Sequence, residues 1–408
     1  MKQKQKRKHK SDADPFALSF AYASTHMKLM TFESWKPEAL RGRRVFLRVD
    51  FNVPIKNGRV LEDRRIKSSL PTIEKLIARG AKVIVASHLG RPDGKRSAAL
   101  SLKPVAKHLA KLLKRPVAFS PDVVGPKVER AIAKMKTGSV LLLENLRFDK
   151  GEEKADPRFA RALAGLADYY VDDAFATAHR DAASTTGVPR YLPSAAGLSL
   201  AKEVEVLSRL LEKPRKPFFV LIGGAKVETK IGVIKALAKN ASVVALGGSL
   251  VAPFLKAKGF PVGKSPASAA DVATARRLLR SKKLLLPVDV VTAVGPKGKP
   301  VVRDISEVGS RETIYDIGPE TIRAYAGLVK KSRTLVWNGP VGWFENPRFS
   351  HGTKALALIM AARSKGPTYG VVGGGETIQA VEERGVADWF DWVSMGGGAM
   401  LEFLEGKK

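Results

Sequence analysis

Short apolar runs alternate along most of the chain with longer stretches in which apolar residues recur every three or four positions. The first half carries "RRVFLRVDF", "AKVIVASHL", "SVLLLENL" and "DYYVDDAF". The second carries "FFVLIGG", "SVVALGG", "KLLLPVDVVTA", "RTLVWNGPVG", "TYGVVGGG" and "DWVSMGG". These runs are rich in Val, Leu and Ile and mostly lack clean alternation, which predicts strands buried on both faces, as in parallel sheets. Between them, "RRIKSSLPTIEKLIARG", "KPVAKHLAKLLK", "KIGVIKALAKN" and "DVATARRLLRS" have helical spacing. Repeated strand–helix units predict an α/β fold of two doubly wound parallel-sheet, Rossmann-like domains.

The break between halves falls in "GVPRYLPSAAGLSLAKEVEVLSRLLEKPRKP", where Pro189, Pro193 and Gly197 precede a helical run from Leu200 to Leu211. The expected organisation is a basic, disordered leader at 1–30, a first domain at 31–190, a hinge and connecting helix at 191–212, a second domain at 213–395 and a closing segment at 396–408. A chain of 408 residues is long for one core, which agrees with two domains. Asp12, Asp14 and Pro15 interrupt the leader's likeness to a signal peptide, and translation starting at Met27 or Met30 would remove it.

Charge narrows the ligands. The net charge is +32; seven Lys/Arg against two Asp give the leader +5 and leave +27 on the rest. The body itself therefore steers anions toward it, whether nucleic acid or small phosphorylated molecules. The chain has no cysteine, which excludes disulfides, thiolate nucleophiles and Cys-metal sites and fits a cytoplasmic setting. No run is long and apolar enough for a membrane span, so no membrane partner is expected.

Polar or glycine residues gather where most apolar runs end. In the first half these are Asp50 and Asn52, His88 and Arg91, and Asn145 and Arg147; in the second, Gly223-Gly224, Gly247-Gly248, Asn338 and Gly373-Gly374-Gly375. Ligands of open α/β sheets bind outside the carboxyl ends of the strands, so an Arg/His site is expected in one domain and a glycine site in the other. Arg48, Arg65, Arg91, Arg147 and Arg180 lie beside expected strand ends or helix starts. Each alone is most simply a surface ion pair; as a set they suit a small polyanion.

In "GGAKVETK" a strand ends in two glycines, and Lys226 and Lys230 follow at helical i,i+4 spacing. Two like charges on one helix face are unfavourable unless an anion lies between them. Glycines that admit close backbone approach, free amides and mobile lysines together suit a phosphate chain. In "VVGGGET" three glycines precede Glu376, a candidate ligand for Mg²⁺, and "SMGGGAM" repeats the theme. "GFPVGKS" resembles a phosphate loop but is one residue short and follows no strong strand, so a surface turn is expected there.

The motifs "RVDFNVP", "SHLGRP", "LENLRF", "DDAFATAHR", "GGAKVETK", "LPVDVVTA", "VWNGPVGWFE" and "GGGAMLEFLEGK" occur in this order, and from about Arg41 onward the chain resembles the phosphoglycerate kinases. The resemblance implies two lobes with 3-phosphoglycerate in the first and Mg-ATP or Mg-ADP in the second, facing one another across a cleft. It implies Asp50, Phe51, Asn52, Arg65, His88, Leu89, Gly90, Arg91, Arg147 and Arg180 as the triose site. It implies Gly223, Gly224, Lys230, Gly247, Asn338, Glu345, Gly374, Gly375, Glu376 and Thr377 as the nucleotide site, with Glu345 at the ribose and Glu376 on Mg²⁺. Arg65, Lys226 and Gly397 fall on positions credited with catalysis. A monomer acting on small molecules, without specific nucleic acid, is the implied state. The chain departs from the family pattern at Glu376, usually Asp, at Ser249, usually glycine, and at Ile314, often glycine. It also stops at "LEGKK", short of the family's usual C-terminal tail.

Two other readings stand beside the kinase. The charge and leader would also suit a basic nucleic-acid-binding protein, although no zinc finger, RNP-like aromatic motif or basic heptad region accompanies them. Glu376 prompts the other, a homologue that binds nucleotide without turnover.

Overall fold

The computed structural model describes residues 29–407. Most of the expected leader, residues 1–28, lies outside the described residues.

The chain divides into two compact units. The first runs up to Ala174 and resumes over Arg180–Ala201; the second comprises Phe175–His179 and Lys202 onward. The helix Leu198–Glu212 contains the change-over at Ala201 and Lys202.

The sheet of the first unit has six strands, in the spatial order Val117–Phe119, Val140–Leu142, Lys82–Ala86, Arg44–Arg48, Tyr169–Asp172 and Ser194–Ala196, all parallel. The lack of alternation in the sequence follows from two cores, one on each face. Val45, Leu47, Val83 and Val85 enter one, while Phe46, Ile84 and Leu141 enter the other. Strands buried on both faces have no polar side to write into the sequence. The order of connection reverses beside Arg44–Arg48, and a crevice opens at such a point, outside the strands' carboxyl ends.

The second unit repeats the plan with Leu284–Leu285, Val243–Leu246, Phe218–Ile222, Thr334–Asn338, Tyr369–Gly373 and Trp392–Ser394, again all parallel. Its reversal falls between Phe218–Ile222 and Thr334–Asn338, the strands that end in Gly223-Gly224 and in Asn338.

One expected strand divides. "KLLLPVDVVTA" gives the edge pair Leu284–Leu285 and, after Pro287, Asp289–Ala293, which pairs antiparallel with Val301–Asp304 and Thr313–Ile317. Proline supplies no backbone N–H and ends the parallel ladder there. The expected helices form at Arg64–Ala78, Lys103–Leu113, Ile231–Asn240 and Ala269–Leu278. "GFPVGKS" is a turn that follows the helix Val251–Ala257 rather than a strand.

Candidate active site

In the first unit, the segment after Arg44–Arg48 is held by side chains reaching in from neighbouring strand ends. Asp50 accepts from the backbone N–H of Asn52 (3.1 Å) and pairs with Arg65, in the first turn of Arg64–Ala78. The Phe51 N–H donates to Ser87 Oγ (2.8 Å), and the Gly90 N–H donates to Asn52 Oδ1 (2.9 Å). Asn145, fully buried, accepts from the Leu89 and Arg147 N–H groups, each at 3.1 Å, and its amide donates to the Leu89 and Leu100 carbonyls. These bonds tie three strand ends into one floor. Gly90 has φ +62°, and a Cβ there would lie 2.7 Å from Leu100, so glycine is required by both conformation and space.

The cations gather around His88, which is 4% exposed. Burial, then the charges of Arg48, Arg147, Arg180 and Arg65, hold its pKa well below the usual imidazole value, so it is neutral at physiological pH. Arg147 donates to the Gly90 carbonyl (2.7 Å) and pairs with Glu153 (3.1 Å). Arg180 is exposed, and its carbonyl accepts from Thr185 Oγ1 (2.9 Å). Of the five arginines singled out in the sequence, Arg48, Arg65, Arg147 and Arg180 act on His88 through their charge. Arg91 is exposed and has no partner among the described residues. Arg48 turns inward: it is 2% exposed, donates from Nε to Ser184 Oγ (2.9 Å), also donates to the Val49 carbonyl, and approaches His88 Nδ1 at 3.3 Å.

In the second unit the loops meet on Asn338. Its amide donates to the Gly373 carbonyl (3.0 Å), its carbonyl accepts from the Gly223 N–H (2.9 Å), and its Oδ1 accepts from Lys230 Nζ. The Gly339 N–H donates to Thr377 Oγ1 (2.7 Å), which joins this strand end to the helix Gly375–Glu383. Gly374 has φ +97° and packs its bare Cα toward Asn338. Gly224 and Gly248 donate to the Pro340 and Val341 carbonyls, at 2.8 and 2.7 Å, so Pro340-Val341 crosses over both remaining loops. Burial lowers the Lys230 pKa, and Glu376 opposes that shift, which brings the ammonium into the field of the carboxylate at the helix start. Glu345 lies exposed in the turn after Phe344.

Two sequence-level expectations change here. Lys226 is not on a helix: the helix begins at Ile231 with Lys230 as its N-cap, and Lys226 is exposed in the preceding loop. The residues "GAKVET" lack an apolar face to bury, so the helix waits for "IGVIKAL". Gly223 is glycine for the protein's own sake, since a Cβ there would meet the Pro340 and Gly339 carbonyl oxygens at 2.1 and 2.5 Å. By contrast, a Cβ on Gly375 meets nothing within 4 Å.

The third glycine loop is anchored from the helix Leu198–Glu212. Glu203, buried, accepts from Trp392 Nε1 (3.0 Å) and the Met395 N–H (2.8 Å), just before Gly396-Gly397-Gly398. Burial pushes its pKa up to about 7. Asp316, buried beside Gly342, accepts from the Gly352 N–H (2.8 Å), in the first turn of the helix His351–Ser364, and from the Ile317 N–H (2.9 Å); burial raises its pKa to about 7. Neither carboxylate was legible in the sequence, because Gly352 lies 36 residues from Asp316 and Trp392 lies 189 from Glu203.

A cluster of cations around a buried imidazole in one doubly wound unit and lysine- and glycine-lined strand ends in another suit an enzyme that handles small phosphorylated molecules. Comparison narrows the class. The sequence profile of the family "Phosphoglycerate kinase" matches residues 36–407. The phosphoglycerate kinase of Moorella thermoacetica is 51% identical over 375 residues, covering 90% of this chain and 95% of that relative. That of Dictyoglomus turgidum is 46% identical over 389 residues, covering 94% and 98%. Among solved structures, phosphoglycerate kinase from Coxiella burnetii superposes with TM-score 0.81 at 41% identity, covering 93% of this chain and 97% of that one. The enzyme from Pyrococcus horikoshii gives TM-score 0.80 at 33% identity, covering 93% and 96%. The chain belongs to the phosphoglycerate kinase family, and its activity is that of a glycolytic kinase.

Proposed function

We propose that the first unit binds 3-phosphoglycerate in the pocket around His88 and that the second binds ATP or ADP at the loops around Asn338. The observation that carries this reading is the cluster of charge around His88: Arg65, Arg147 and Arg180 act on a neutral imidazole, with Asp50 paired to Arg65 and bonded to Asn52. Guanidinium groups suit the phosphate and carboxylate ends of such a ligand, and Asp50, an acceptor among cations, suits its hydroxyl. Phe51, Leu89 and Gly90 shape the floor through backbone, and Arg91 reaches the ligand from the rim.

At the other site Gly224, Gly247, Gly374, Gly375 and Thr377 line the phosphates with Lys230 and Asn338, while Glu345 meets the ribose. The ion would be Mg²⁺. No group of three or more His, Cys, Asp or Glu able to hold a metal occurs among the described residues. A single carboxylate at the helix start fits an ion that keeps its waters and leans on substrate phosphates, and Glu376 is that carboxylate. When bound, Mg²⁺ neutralises charge on the phosphate oxygens. The acceptor carboxylate is already ionised at neutral pH, so no general base is needed. Positioned cations carry the transfer: Arg65 and Lys226 on the moving phosphoryl, and the Gly397 loop at the reacting end.

No helix among the described residues is long and apolar enough to cross a membrane. A cytoplasmic monomer is the state this reading proposes. Isothermal titration with 3-phosphoglycerate tests the pocket assignment. Saturable binding that Arg147→Ala and Arg180→Ala each weaken supports it; undiminished binding in both variants overturns it.

A further inference from the structure

Behind the cationic pocket lies a buried polar chain that no sequence motif announced. Glu152, 2% exposed, turns both carboxylate oxygens to one residue: Ser184 Oγ donates to Oε1 (2.6 Å) and the Ser184 N–H donates to Oε2 (3.1 Å). The Ala183 N–H donates to the carbonyl of Glu152 (2.9 Å), and Tyr170 donates to that of Ser184 (2.8 Å). These bonds hold Ala183–Gly187 as a π-helical turn, a geometry that recurs at functional sites.

The serine hydroxyl has one proton, and it goes to Glu152. Its lone pairs face Arg48, whose Nε donates at 2.9 Å. Arg48 then approaches His88 Nδ1 through a terminal nitrogen at 3.3 Å. A guanidinium has donors only, so Nδ1 must be the accepting nitrogen, and the single proton of the neutral ring sits on Nε2.

We propose that Glu152 and Ser184 are positioning residues for the anion pocket: through Arg48 they fix His88 as the Nε2–H tautomer, so that the imidazole offers a ligand a donor rather than a lone pair. The inference rests on reading this pocket as the 3-phosphoglycerate site. Glu152 lies two residues removed from the ring and acts only through Ser184 and Arg48. Its negative charge also gives the buried Arg48 a counter-charge one hydroxyl away, in agreement with the downward pull that Arg48 exerts on the Glu152 pKa against the upward effect of burial. The tautomer matters because every ligand group expected here is an anionic oxygen or a hydroxyl. A lone pair aimed at a phosphate or carboxylate repels it, whereas an N–H binds it.

The chain has six histidines, so ¹⁵N-histidine labelling and imidazole ¹H–¹⁵N correlation can resolve His88 once His88→Gln assigns its signals. In the wild-type protein at neutral pH the Nε2–H tautomer alone is expected. A ring protonated on Nδ1, or on both nitrogens, overturns the inference without any positioning variant having to fold. Ser184→Ala removes the link and should give a mixed or shifted tautomer population. It should also raise the KM for 3-phosphoglycerate by roughly ten- to hundredfold, the scale of one hydrogen bond to a charged group, with the KM for ATP unchanged. Ser184→Thr, which keeps the hydroxyl, should retain the wild-type signals. Glu152→Gln should shift His88 in the same direction as Ser184→Ala. Unchanged tautomer and KM in both Ser184→Ala and Glu152→Gln would refute the positioning role. Failure of the wild-type protein to bind 3-phosphoglycerate would refute the pocket assignment instead, and the tautomer signal is read without that ligand.

Discussion

Gly375→Ala separates a glycine kept for the fold from one kept for a ligand. Gly375 opens the helix Gly375–Glu383, and a Cβ built on it meets no protein atom within 4 Å. Its backbone is not in the left-handed region. The protein alone therefore gives no reason for glycine here, and alanine is the better helix former by up to about 1 kcal/mol. If the phosphate chain lies against the amides of this loop, the added methyl stands where a phosphate oxygen must come. Losing one amide-to-phosphate hydrogen bond costs roughly 1.5–3 kcal/mol, or about ten- to 150-fold in the dissociation constant. Calorimetric unfolding should give a Tm equal to or above the wild type, while titration with ADP shows the weakened binding. Gly223→Ala is the contrasting control. Its methyl would meet two carbonyl oxygens of Gly339-Pro340, so the loop must shift and strain its bonds to Asn338 and Pro340. Overpacking of this kind costs about 1–3 kcal/mol, and Tm should fall. A Gly375→Ala protein with lowered Tm, or with unchanged affinity for ADP, would refute the reasoning.

Arg65→Ala should lower kcat by roughly two to three powers of ten, more than it raises the KM for 3-phosphoglycerate, and steady-state kinetics that show only a KM effect would move Arg65 to ground-state binding. Glu376→Gln should raise the Mg²⁺ concentration needed for half-maximal rate while Glu376→Asp keeps substantial activity; a Mg²⁺ titration in which Glu376→Gln matches the wild type places the ion elsewhere. Asp316 has a folded-state pKa of about 7, above its unfolded value, so the native protein holds a proton that the unfolded chain releases. Its contribution is fully present below about pH 4, is lost as pH rises toward 7, and stays lost above. Urea unfolding should therefore find the wild type's advantage over Asp316→Asn shrinking from pH 4 to pH 8, and a constant difference would remove Asp316 as the cause.

The fold was legible because two-faced burial leaves a simple mark. Val45, Phe46 and Leu47 in "RRVFLRVDF" and Phe218 to Ile222 in "FFVLIGG" run apolar without alternation, which follows from neighbours such as Val45 and Phe46 entering opposite cores. The site was legible where a functional residue stands at or a few residues past a strand's carboxyl end, as Asp50, His88, Arg147 and Asn338 do. It was illegible where function depends on pairing across the chain. Arg48 reads like the other arginines, and the groups that hold it inward include Ser184, 136 residues on, and His88, 40 residues on. Lys226 reads as helical because i,i+4 spacing cannot say where an apolar face begins. Gly223 and Gly375 read alike, since sequence does not record whether the space beside a glycine belongs to protein or ligand.

The measurement closest to the central claim is a coupled assay of phosphoryl transfer from Mg-ATP to 3-phosphoglycerate. ADP formation should require both substrates and the metal, saturate with each, and fall steeply in Arg65→Ala. Tight nucleotide binding without any turnover dependent on 3-phosphoglycerate would contradict the claim.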